Sequence, residues 1–204
     1  MKVAVIDSGI HPGHSHVGAI AGGVGVTDSG FSDDIVDRLG HGTAVAGAIR
    51  EKAPQAELYV VKVFDRRLST NIETILRALE WCIEQRIEVV NLSLGTTNPA
   101  HRERFERLLA SGGLVVSAAD RLPGSLALAI GVAPEEDCPR DVYRYRNGIF
   151  FASPHPRPIP GVPPAHNLQG VSFAVANMTG FVARAFAISS RDSIREALVA
   201  GATS

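Results

Sequence analysis

Short apolar runs alternate with helix-spaced segments along the whole chain, and this alternation restricts the fold more than any other feature. Val3–Ile6 carries no polar side chain and reads as a buried strand. Residues 42–50, GTAVAGAIR, are small and apolar and suit a helix packed tightly in a core. Leu58–Val63 is β-branched and aromatic, as strands prefer. Thr70 and Glu73 then spell a T-x-x-E capping box. Behind it Ile72, Ile75, Leu76, Leu79, Cys82 and Ile83 recur at helical spacing and line one face. Val89–Leu92 is a further strand. Asn98-Pro99 reads as a helix start, Phe105, Leu108 and Leu109 as its buried face, and Gly112-Gly113 as its end. Leu114–Ala119 and Ala127–Val132 are two more strands. Residues 153–164 hold six prolines and must be a loop, and Ser172 to about Ile188 is a last apolar helix.

Strands that alternate with helices predict an α/β fold: a mostly parallel sheet with helices on both faces and right-handed crossovers. The 204 residues suit one domain, 1–204, with a full-sized core. In such a sheet, ligands sit beyond the carboxyl ends of the strands. Asp7 lies at one of those ends, on a tight Asp-Ser-Gly turn.

Composition excludes several functions. Formal net charge is −1, with no basic run and no aromatic-rich basic strip, so neither nucleic acid nor an anionic membrane is expected as a partner. No apolar run is long enough to span a bilayer. Met1-Lys2 leads straight into the first strand with no secretory signal, so the chain as written is expected to be cytoplasmic. Cys82 and Cys138 form no spacing pattern, and Cys82 on an apolar helix face reads as a buried free thiol.

Three Gly-marked turns carry residues able to do chemistry: Asp7-Ser8-Gly9, Gly40-His41-Gly42-Thr43 and Gly170-Val171-Ser172. A serine opening a helix has free backbone N–H groups and the positive helix end beside it, which would stabilise an oxyanion. Alone, Ser172 reads first as a plain N-cap. His41, between two glycines, is accessible and of the right basicity for a general base, although alone it reads as a backbone-capping histidine. Asp7 could orient one ring nitrogen of His41, or simply close an Asx-type turn. No G-x-G-x-x-G follows it, so a nucleotide site is poorly supported. The order Asp, His, Ser, each on its own turn, is worth more than any one of them.

With these residues the chain resembles the subtilisin family of serine proteases, the subtilases. VAVIDSGI resembles the family's aspartate motif, GHGTAVAG its histidine motif and GVSFAVANMTG a variant of its serine motif, while VKVF, the helix ending ALEWCIE and VVNLSLGT match the segments between. The resemblance runs from about residue 3 to residue 185. It implies a three-layer subtilisin-like fold and peptide hydrolysis through an acyl-enzyme. Ser172 would be the nucleophile, His41 the proton carrier and Asp7 its orienter. It also implies that Ser93-Leu94-Gly95 pairs with the substrate backbone, that Leu68-Ser69-Thr70 forms a second edge, and that Ala118 and Ala119 line the first pocket. The implied partner is a peptide or protein substrate; a partner subunit or a homo-oligomer is compatible with it. No cofactor is implied.

Several departures from the family pattern matter. The family supplies an Asn amide to the oxyanion hole, whereas this chain reads VVSAADRLP, placing Arg121 or Asp120 there beside Ser172. An ionised Asp120 would repel an oxyanion and could donate only with a strongly raised pKa; Arg121 could donate if it reached inward. Losing one such donor costs on the order of 100- to 1,000-fold in rate. Val171 replaces a Thr, and Ala176-Asn177 replaces Pro-His. The link before LYVVKV is short, so the family's calcium loop is expected to be missing. His11, His14 and His16 spell a His-x-x-His-x-His pattern able to ligate metal, but a histidine at the place of His14 is common in the family without one, and no metal is expected. Arg66-Arg67 reads as a solvated pair or as a preference for acidic substrate side chains. Two functions follow: a dedicated processing protease inside the cell, or a catalytically impaired fold that serves as a peptide-binding or scaffolding subunit.

Overall fold

The structure is a computed structural model that describes residues 1–186, 189–190 and 192–203. Nine strands appear among them: β1 (Lys2–Asp7), β2 (Gly22–Thr27), β3 (Gly30–Ser32), β4 (Glu57–Lys62), β5 (Val89–Leu92), β6 (Leu114–Ala118), β7 (Ile130–Pro134), β8 (Arg144–Arg146) and β9 (Ile149–Ala152). They form one sheet in the order β3-β2-β4-β1-β5-β6-β7-β9-β8. The seven strands from β2 to β9 across its middle run parallel; only the edge strands β3 and β8 pair antiparallel. The helices are α1 (His41–Lys52), α2 (Ile72–Glu84), α3 (Arg102–Ser111), α4 (Val171–Phe186) and α5 (Ile194–Ala200).

The period of two along a strand explains the layers. On β1, Val3 and Val5 join one core cluster with Val45 and Ile49 of α1 and Phe173 and Phe181 of α4. Ala4 and Ile6 point the other way, into a cluster with Leu76 and Leu79 of α2 and Phe105 of α3. Helices therefore cover both faces, and the three-layer α/β architecture expected from the alternation is present. β1 lies between β4 and β5, with Asp7 opposite Lys62 and Ile6 opposite Leu92. The chain reaches β4 through α1 on one face and β5 through α2 on the other. The carboxyl end of β1 is thus the switch point where a parallel sheet opens a crevice.

Local details differ from the sequence reading. The Thr70–Glu73 capping box does not form. α2 begins at Ile72 and is capped by Asn71, whose side-chain oxygen accepts from the Thr74 amide at 2.9 Å. Asn71 holds extended backbone there (φ −96°, ψ 169°), which aims its own oxygen at that amide. Glu73 turns outward and takes a two-pronged contact from Arg104 of α3 at 2.6 and 2.7 Å. The strand expected over Ala127–Val132 begins only at Ile130, because residues 126–129 close a turn in which the Ala129 amide donates to the Leu126 carbonyl at 3.0 Å. Asn98 does start its helix, accepting from the Ala100 amide at 3.1 Å ahead of a 3-10 turn that leads into α3. The last helix begins at Val171 and is described to Phe186; the end expected near Ile188 lies outside the described residues. Strands β2, β3, β8 and β9 and helix α5 were not expected.

Candidate active site

The Asp-Ser-Gly turn after β1 is built to seat the first turn of α1. Gly9 has φ +101°, and a Cβ there would lie 2.5 Å from the Ile35 carbonyl oxygen. A Cβ on Gly42 would lie 2.1 Å from the Gly9 carbonyl oxygen, so turn and helix meet backbone to backbone. Ser8 Oγ sits between them: it accepts from the Gly42 amide and donates to Asp37 Oδ1, each at 2.9 Å. This close approach carries Asp7 to His41. Asp7 is 1% exposed, and its Oδ1 accepts from His41 Nδ1 at 2.7 Å and from the Ser8 amide at 2.8 Å. An ionised carboxylate can only accept, so Nδ1 carries the proton and Nε2 of the neutral ring is a free base. Burial alone would lower the His41 pKa, but the hydrogen bond and charge of Asp7, with the charge of Asp37, outweigh it and raise the value above the ordinary 6.5.

Sequence reasoning missed Asp37, which anchors this assembly. Its Oδ1 accepts from Ser8 Oγ and from the amides of Leu39 and Gly40, and its Oδ2 from the amide and hydroxyl of Thr43. α1 has no side-chain cap at Gly40; Asp37 takes that part from three residues upstream. Burial would raise its pKa, but the bonds from Thr43, Leu39 and Ser8 hold it below the ordinary value. The Asp four residues before a Gly-flanked histidine was the available signal.

Ser172 is the second residue of α4, half-buried, and its helix end stands beside His41: the Phe173 ring lies 5.5 Å from the imidazole, centroid to centroid. Among the described residues the Ser172 hydroxyl makes no hydrogen bond with His41. The Ser172 carbonyl accepts from Ser93 Oγ at 3.3 Å. Ser93 Oγ in turn accepts from Asn91 Nδ2 at 3.2 Å, and the Thr179 hydroxyl lies 3.0 Å from Asn91 Oδ1 and 2.8 Å from the Val175 carbonyl, its one proton shared between them. Asn91 and Thr179 are fully buried, so this polar chain runs through the core from α4 across β5 and back to the start of α4.

Ser93, Leu94 and Gly95 follow β5, half-buried and outside any strand ladder, which leaves backbone free to pair with an extended peptide. Leu68 is 53% exposed, Ser69 is exposed and Thr70 half-buried. Ser69 and Thr70 wall a cavity of about 570 Å3 that reaches back to Lys62 and Phe64. Ala118 is buried at the end of β6 and Ala119 is half-buried beyond it. Arg66 is 89% exposed and pairs with Asp65 at 3.7 Å, in keeping with a solvated residue.

Asp120 and Arg121, the two candidates for an oxyanion donor, hold each other. Arg121 Nε and Nη2 donate to Asp120 Oδ1 and Oδ2 at 2.9 and 2.8 Å, and the Asp120 side chain is 67% exposed. The Arg121 bond pulls the Asp120 pKa below its ordinary value, so Asp120 is an ionised acceptor and does not meet the condition for donation. Neither side chain hydrogen-bonds Ser172. Asn177 turns its amide nitrogen to the carbonyls of Ser153 and His155, at 2.9 and 3.0 Å, and ties α4 to the proline-rich loop.

His11, His14 and His16 stack edge-on, with ring centroids 6.5 and 5.2 Å apart. Among the described residues no group of three or more His, Cys, Asp or Glu side chains is placed to hold a metal ion. Both cysteines are free and buried. No helix among the described residues is long and apolar enough to cross a membrane.

Comparison with known proteins places the chain among relatives. Residues 1–132 match the model of the subtilase family. The chain is 36% identical over 203 residues to Subtilisin E of Bacillus subtilis (strain 168), covering 76% of this chain and 53% of that protein. It is 35% identical over 134 residues to the Major intracellular serine protease of the same strain, covering 58% of this chain and 42% of that protein. The chain thus spans about half the length of the curated relatives it matches. A solved structure described as a cold adapted subtilisin-like serine proteinase superposes with a TM-score of 0.69 at 20% identity, covering 90% of this chain and 74% of that one, and shares the fold. With the family model spanning well over half of its length, the chain belongs to the subtilase family.

Proposed function

We propose that the protein is a serine endopeptidase working through Asp7, His41 and Ser172. The observation that carries the reading is the buried Asp7 carboxylate bonded at 2.7 Å to His41 Nδ1. That bond leaves Nε2 as the base, and the α4 residue next to Ser172, Phe173, packs 5.5 Å from the His41 ring. In the proposed reaction, Nε2 takes the Ser172 proton as Oγ attacks a peptide carbonyl, and Asp7 stabilises the imidazolium. The imidazolium then protonates the leaving amine, and water repeats the sequence on the acyl-enzyme. A hydrogen bond between His41 and Ser172 is not required before substrate arrives, since such contacts tighten when substrate binds. The substrate lies extended between Ser93–Gly95 and Leu68–Thr70. We further propose a dedicated role on one precursor peptide or protein inside the cell, in line with relatives named intracellular serine proteases.

One observation favours a second reading, a weakened or inactive fold that binds peptide within a larger assembly. By the resemblance, the Asp120–Arg121 pair stands where the family has its oxyanion amide, and the pair offers a carboxylate. Labelling with a fluorophosphonate probe separates the two. The peptidase labels at Ser172 as wild type and not as Ser172→Ala; a folded wild type that takes no label transfers the assignment to the binder.

A further inference from the structure

A cavity of about 410 Å3 opens between the His11–His16 segment, the start of α1 and the proline-rich loop. Its walls include Gly40, next to His41, and Leu168, four residues before Ser172, so it adjoins the segments that deliver both groups to the centre. Four histidines, His11, His14, His16 and His166, line it together with Arg157.

Its charges are unbalanced. The one carboxylate in the wall, Asp37, already has both oxygens bonded to donors of its own loop and helix. Glu51, a carboxylate outside the wall whose charge reaches His16, is taken by Arg140 and Lys52. Arg157, half-buried, gives one N–H to the His16 carbonyl at 3.3 Å, and among the described residues no carboxylate pairs with it. A permanent cation with unused donors thus sits among four imidazoles, beside apolar walls from Ile159 and Leu168. A half-buried guanidinium with free N–H groups selects a carboxylate, and imidazole N–H groups add donors. The apolar walls suit the methylenes of a Glu side chain.

We propose that this cavity is a substrate subsite for an acidic side chain, Glu or Asp, of the polypeptide being cleaved, close in sequence to the scissile bond. The inference deepens the peptidase reading and rests on it. It concerns the Arg157 cavity and not the exposed Arg66-Arg67 pair.

Two measurements test it. Wild type is given randomised octapeptide libraries with Glu fixed at each position in turn, against matched libraries with Gln, and cleavage is followed by mass spectrometry. At one position Glu is expected to be cleaved about fivefold or more faster than Gln, the discrimination of one charge-assisted hydrogen bond. Arg157→Gln should bring that ratio close to one, and added salt should reduce it. Equal rates at every position, with fluorophosphonate labelling of Ser172 intact, overturn the subsite while leaving the peptidase reading in place. Absence of both labelling and cleavage overturns the peptidase reading instead. The second measurement needs no chemistry: side-chain NMR signals of Arg157 and the four histidines are followed in Ser172→Ala titrated with hexaglutamate, hexaglutamine or inorganic phosphate. Shifts with hexaglutamate alone support the proposal. No shift, or shifts with phosphate alone, overturn it whatever the catalytic result.

Discussion

Asp37 offers the most direct test of how the site is held. It is 8% exposed, and five donors converge on it at 2.6–2.9 Å: Ser8 Oγ, the amides of Leu39, Gly40 and Thr43, and the Thr43 hydroxyl. In Asp37→Asn the amide oxygen can keep the three donors now on Oδ1. Its NH2 then faces the Thr43 amide, and a buried N–H left without a partner costs about 1–3 kcal/mol. The three surviving bonds fall from charged-acceptor to neutral strength, a loss of about 1 kcal/mol each. Relief from burying a charge returns part of this, and the net destabilisation is about 2–5 kcal/mol. Asp37→Ala leaves all five donors without this acceptor and should be worse. Urea unfolding followed by circular dichroism measures the loss, and fluorophosphonate labelling of Ser172 should slow in parallel as the start of α1 loosens. The pH dependence supplies a control. A carboxyl held below its ordinary value in the folded state stabilises fully above its unfolded pKa, near 3.9, and loses that contribution as pH falls through the folded value. The gap between wild type and Asp37→Asn should therefore be widest near neutrality and close in acid. A loss below about 1 kcal/mol at pH 7, or a gap that does not change with pH, would refute the anchoring argument.

Three more outcomes are expected. Because the His41 pKa is raised above 6.5 and the base must be neutral, kcat/KM should climb with pH through a midpoint above that value; Asp7→Asn should move the midpoint down and lower the rate by about 10,000-fold, and an unmoved midpoint would contradict the Asp7–His41 bond. The same raised pKa makes the His41 contribution to stability complete below its unfolded value and lost as pH rises through the folded one. Thr179→Val cuts the buried polar chain behind Ser172 and should lower kcat by roughly fivefold, about 1 kcal/mol, with KM little changed; Thr179→Ser should restore it, and equal rates for all three proteins would remove any positioning role.

Much of this was legible beforehand for a physical reason. Val3–Ile6, Leu58–Val63 and Val89–Leu92 sit in mid-sheet between helix layers, so their apolar runs are continuous and stand out. β2 was hidden because three of its six residues are glycine, and β8 and β3 because each has only three residues, at a sheet edge. Asp7, His41 and Ser172 were marked by their glycines. Asp37 had only its place before His41 to mark it; that it also takes the hydroxyl of Ser8, far back in the chain, follows from packing.

By itself, the order of residues determined the layered parallel sheet and the three turns that bear Asp7, His41 and Ser172, since burial periodicity and tight-turn chemistry are properties of neighbouring residues. Tertiary structure alone decided how those turns are fastened. The Asp7–His41 bond, the Ser8 hydroxyl on Asp37 and the histidine-lined recess around Arg157 each join segments far apart in the chain, while the adjacent Asp120 and Arg121 turn to each other. Which donor meets which acceptor there depends on sub-ångström distances that spacing along a chain does not encode.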